Sequence, residues 1–104
     1  MVAVPATPLR AMNATVVGLV TPHLMAVIDL AGQAESGINV DWHVRAAVAK
    51  TADELSGQFN AADLLAAYVH GLQAAVRDAR SRGPYAGALQ AAVVLAEREL
   101  RRHG

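Results

Sequence analysis

Between Arg10 and Asp29 the chain runs for 18 residues without a formal charge, counting histidine as neutral. The stretch Asn13 to Gln33, NATVVGLVTPHLMAVIDLAGQ, admits three readings: a membrane span, one buried helix, or two shorter elements separated at Thr21-Pro22. A span needs about 20 mostly apolar residues with charged or aromatic flanks. This run carries Asn13, Thr15, Thr21, Pro22 and His23, has no aromatic residue, and meets Asp29 in its extension. No membrane span is therefore expected. A signal peptide fits poorly as well, because a single arginine precedes the run and no small-x-small cleavage pattern follows. The expected location is the cytoplasm or the interior of a larger assembly. Proline lacks the N–H that a helix interior needs and suits a first helical position, so Thr21-Pro22 is expected to divide the run. Two short buried segments result, each too apolar on its outer side for a free surface.

The remaining segments read as helices. Thr7-Pro8 is a helix start, followed by Leu9, Met12, Val16 and Leu19/Val20 at helical spacing, then Leu24, Val27/Ile28 and Ala31. Gly32 and Gly37 flank the exit. In DWHVRAAVAKTADELSG, Val44, Val48, Thr51 and Leu55 share a face, Asn39 or Asp41 is placed to cap, and Gly57 ends the helix. The next segment has Asn60 as a cap, Asp63 in the first turn, where a negative charge suits the helix dipole, and a stripe of Leu65, Tyr68, Val69, Leu72, Val76 and Ala79. Gly83-Pro84 punctuates. Leu89, Val93, Ala96 and Leu100 then form the last stripe.

The expected fold is all-α: residues 1–104 form one helical domain, a compact bundle of four to five helices. The competing architecture is α/β. Ile38, Val40, Trp42 and Val44 alternate as in a strand, and the only candidate partner is Ala14 to Val20. That alternative places short strands at 14–20 and 38–44.

The sequence excludes much chemistry. There is no cysteine, so disulfides, thiol catalysis and cysteine zinc sites are absent. His23, His43, His70 and His103 include no pair three or four residues apart, so no helical metal-ligand pair exists. Asp53-Glu54 and Glu97/Glu99 are the nearest carboxylate groupings, and they read as solvated helix faces. No nucleophile elbow, phosphate loop or dinucleotide fingerprint occurs. No catalytic set, metal site or cofactor is expected. A small enzyme or ligand binder without a recognisable motif would need an enclosed pocket with convergent polar groups, drawn from Trp42, Tyr68 and His70.

A second alternative is a helix–turn–helix regulator spanning the segments on either side of Gly57, with Arg45 and Lys50 on phosphate. The second helix of such a motif presents base-reading side chains near its start. Here the start is NAADLLAAY, with no Arg, Lys or Gln before Gln73, and Asp63 would repel phosphate. Net charge is zero. Nucleic acid is therefore not the expected partner.

Assembly with protein is the favoured reading. Apolar residues make up 54% of the chain and charged residues 17%, more apolar surface than one small core needs. Several large side chains leave the core stripes. Val94 and Leu95 lie about 140° and 240° around their helix from Leu89, and Leu64, Val17 and Met25 depart similarly. These five are the candidate interface residues, for a homo-oligomer or an accessory subunit of a larger complex. Charge is polarised too. Residues 1–76 hold three basic and six acidic residues, and residues 77–104 hold six arginines and three acids. Opposite ends of this kind can steer head-to-tail association.

Overall fold

A computed structural model describes the backbone of residues 6–79 and 83–103 and the side chains of residues 15–79 and 83–103. It contains four helices: α1 (Ala6–Glu35), α2 (Asp41–Ser56), α3 (Ala61–Asp78) and α4 (Pro84–His103). Each helix packs against all three others. The all-α bundle is thus the fold, and no strand occurs among the described residues. The expected start at Thr7-Pro8 is corrected, since Ala6 and Thr7 are already helical in α1; the side chains of Thr7, Leu9 and Met12 lie outside the described ones.

The α/β alternative fails on helical phase. Val40 and Val44 are buried while Ile38 and Trp42 are exposed. In a strand all four would share one face; instead Trp42 and Val44 lie in α2, where residues two apart point about 200° from each other, and Ile38 and Val40 belong to the turn before it. The side-chain oxygen of Asn39 accepts the backbone N–H of Asp41 at 3.1 Å, which starts α2 in place of a strand. Residues 14–20, the other proposed strand, lie inside α1.

The expected division at Thr21-Pro22 is also corrected, because α1 continues unbroken through Pro22 for 30 residues. Proline there removes the bond that would reach back to the Gly18 carbonyl. Both Gly18 and Pro22 are exposed, so water can serve that carbonyl. Thr21 adds a bond of its own, its hydroxyl donating to the Val17 carbonyl at 2.6 Å. The helix ends instead at Gly37, whose φ of 89° few side-chain-bearing residues adopt. Gly37 N–H donates to Ala34 O and Ile38 N–H to Gln33 O, the paired bonds of a Schellman terminus.

One core joins the four helices. Val16, Val20, Val27 and Ala31 enter it from α1; Val44, Val48 and Leu55 from α2; Leu65, Tyr68 and Leu72 from α3; Leu89, Ala92 and Ala96 from α4. Alanine at many of these sites lets the helices approach closely. At the end of α1 the Glu35 carboxylate accepts the Tyr85 backbone N–H at 3.0 Å. Tyr85 follows Pro84 in the first turn of α4, where an unpaired N–H and the positive end of the helix dipole both favour an anion.

Candidate interaction surfaces

The structure sorts the candidate residues into three groups. Leu64 is corrected: it is fully buried, because α1, α2 and α4 cover α3 well beyond its main stripe. Val17, Met25 and Val94 are about half exposed, at 56%, 49% and 50%. Leu95 is partly buried against the core.

Val17 and Met25 share the outer side of α1 with Thr21 and Ile28. The spacing of 17, 21, 25 and 28 is the three- and four-residue repeat of one helix face. Within Thr15–Glu35, long and apolar enough to cross a membrane by length and composition alone, only 22% of the most apolar window is buried. Beside this stripe runs a groove of about 670 Å³ between α1 and α3. Val20, Leu24, Ala67 and Gly71 line it, with Val17, His70 and Arg77 also on its walls.

Val94 and Leu95 line a second cleft, of about 420 Å³, between α2 and α4. Its apolar part includes Val44, Ala88 and Ala91, and Asp41, Arg45 and Arg98 supply its charges. Neither arginine pairs with a carboxylate among the described residues. Asp41 and Arg45 also border a shallower hollow that contains Trp42, which is 74% exposed and meets His43 edge-on. Exposed tryptophan and arginine beside an apolar depression is the composition found at the energetic centre of protein interfaces.

The residues of the other two readings do not converge. Trp42 and His70 line different hollows, and Tyr68 is fully buried in the core. Arg45 and Lys50 are both exposed but stand about 140° apart around α2. The solvent-facing start of α3 presents Ala62 and Asp63.

Sequence reasoning missed a polar cluster between α1 and α2. His23 Nδ1 lies 3.3 Å from the Thr51 hydroxyl, and His23 Nε2 lies 3.6 Å from the Glu54 carboxylate. Carboxylate, imidazole and hydroxyl in series are the parts of an activated nucleophile. Here Thr51 is 4% exposed, so its oxygen faces the bundle and serves to join two helices. Beyond it the Tyr68 hydroxyl is buried with no hydrogen-bond partner. Burial pushes its pKa from 10.0 up to about 12; Thr51 beside it offsets this in part, though the two hydroxyls do not meet in hydrogen-bonding geometry. Among the described residues no group of three metal-ligating side chains occurs.

No family model, curated protein or solved structure matches this chain.

Proposed function

We propose that this protein acts through protein–protein assembly, as a homo-oligomer or as an accessory subunit of a larger complex. The observation that carries the reading is the outer side of α1. Val17, Thr21, Met25 and the partly buried Ile28 form an uncharged stripe along the α1/α3 groove. Burying a large apolar side chain stabilises association by roughly 1.5–3 kcal/mol. A stripe repeating every three or four residues beside an apolar groove suits an incoming helix.

Protein is a better match than lipid for this face. Interfacial membrane helices carry lysine or arginine along the polar side. From Thr15 to Glu35 α1 has Asp29 and Glu35 but no basic residue apart from His23. Its inner side is held by the core and by the His23 and Glu35 contacts.

The test is sedimentation and light scattering on the wild type and on Val17→Glu and Met25→Glu, with any co-purifying protein retained. Both positions are exposed, so circular dichroism and melting should be unchanged. Loss of the assembled species in both variants supports the reading. An unaltered assembly, or flotation of the wild type with anionic vesicles in place of protein association, overturns it.

A further inference from the structure

Among the described residues the most exposed large apolar one is Phe59, at 102%. It stands in the turn between α2 and α3, outside every core stripe. Gln58 and Asn60 flank it, and the charges on the helix ends either side are acidic: Asp53 and Glu54 in the last turn of α2 and Asp63 in the first turn of α3, all exposed. From Thr51 to Val76 there is no lysine or arginine. Lys50 precedes this stretch in sequence, and His23 of α1 stands 3.6 Å from Glu54. The turn is therefore an aromatic tip set in negative charge.

The α2/α4 cleft has the opposite character. Val94 and Leu95 give it an apolar wall, and Arg45 and Arg98 are two arginines without a carboxylate partner among the described residues, against the single acid Asp41. At about 420 Å³ it lies within the range of ligand-sized depressions. An aromatic side chain covers roughly 150–250 Å² when buried.

We infer that the α2/α4 cleft receives the α2–α3 turn of a second copy of this chain, with Phe59 against Val94 and Leu95. The acidic groups around the tip would face Arg45 and Arg98. A copy cannot fill its own cleft: Arg45 is in the first turns of α2 and the turn follows its last, separated by roughly 16 Å of helix axis from Arg45 to Ser56. Plug and socket are different surfaces, so the contact is heterologous: one pairing leaves a free plug and a free socket, and further copies add head to tail. The inference rests on the assembly reading above but uses none of the α1 residues.

The experiment uses two variants of the full chain, Phe59→Asp and the double change Arg45→Glu/Arg98→Glu. All three positions are exposed, and helicity and melting are checked first. Sedimentation velocity from about 5 to 200 µM should show the wild type associating, more weakly at about 500 mM than at about 50 mM salt, as screening of charge requires. Each variant alone should lose at least tenfold in affinity. Mixed in equal amounts they should form a one-to-one dimer, because one retains a socket and the other a plug. A monomeric wild type, unchanged association of Phe59→Asp, or no recovery on mixing overturns the inference. Loss of association in Val17→Glu with Phe59→Asp unaffected overturns the plug while leaving the α1 reading in place; the reverse pattern does the opposite.

Discussion

Leu24 of α1 occupies the space that a side chain at position 71 of α3 would need. A Cβ built on Gly71 would stand 2.5 Å from Leu24 Cδ1 and 2.8 Å from Cδ2. The glycine thus sets how closely the two helices approach. Gly71→Ala exchanges this crowding for the better helix propensity of alanine, up to about 1 kcal/mol. Leu24 borders the open α1/α3 groove and can swing aside, so that variant should change stability by less than about 1 kcal/mol. Gly71→Val adds two further methyl groups and should cost about 1–3 kcal/mol by overpacking. Urea denaturation of both variants checks the pair; equal stability for valine and alanine would refute the close approach.

Glu35 is the long-range cap of α4. Glu35→Ala leaves the Tyr85 N–H without its carboxylate and should lower stability by about 0.5–2 kcal/mol. Since Glu35 is exposed, water recovers part of the loss, which favours the lower end. Amide exchange should quicken at Tyr85 ahead of the α4 centre. Unchanged exchange there would show that the contact contributes nothing.

Tyr68 gives the molecule a defined alkaline limit. Its folded-state pKa is raised from 10.0 to about 12, so the folded protein holds the neutral phenol where the unfolded chain has begun to ionise. The sign follows: this contribution is fully present below pH 10 and is lost as pH rises toward 12, by an amount on the order of 2–3 kcal/mol. Tyr68→Phe should remove that part of the alkaline decline. At neutral pH it also removes an unpartnered buried hydroxyl, and should be neutral or stabilising by about 1 kcal/mol. Denaturation midpoints at pH 7, 9 and about 11 test both; a parallel decline in variant and wild type would contradict the assignment.

Pro22 interrupts the hydrogen-bond ladder of α1 on its exposed side. Pro22→Ala restores the N–H that can reach the Gly18 carbonyl. The intrinsic difference is about 3 kcal/mol in a helix interior, and the surrounding helix already accommodates the ring, so a gain of about 1–2 kcal/mol is expected. Thermal melting measures it. A loss of stability would mean that the proline shapes α1 in a way its packing requires.

What was legible in the sequence was what helical periodicity carries. Val44, Val48, Thr51 and Leu55 are spaced to share one face, and all four are buried. Leu65, Tyr68, Val69 and Leu72 on α3 behave the same way. The continuity of α1 was not legible, because the cost of Pro22 is local and depends on which side of the helix faces water. Leu64 was misplaced because the stripe rule presumes one covered side, whereas α3 is covered by three neighbours. His23 and Thr51 are 28 positions apart, and no local pattern links them. Their meeting follows only once α1 and α2 fold back about the turn at Gly37. Phe59 did carry a signal: a large aromatic residue in a short turn, belonging to no stripe.

The placement of α4 governs how the protein is made. Of the four helices it is synthesised last, yet it packs against each of the others and takes its cap from the end of α1. At about 5–20 residues per second, α1 spends several seconds outside the ribosome before α4 follows. During that interval α1 has only α2 and α3 to pack against, and the side that α4 will cover is open along with its outer stripe. Until α4 follows, the faces of the three earlier helices that it covers stand open to water, so the partly made bundle is greasier than the finished one.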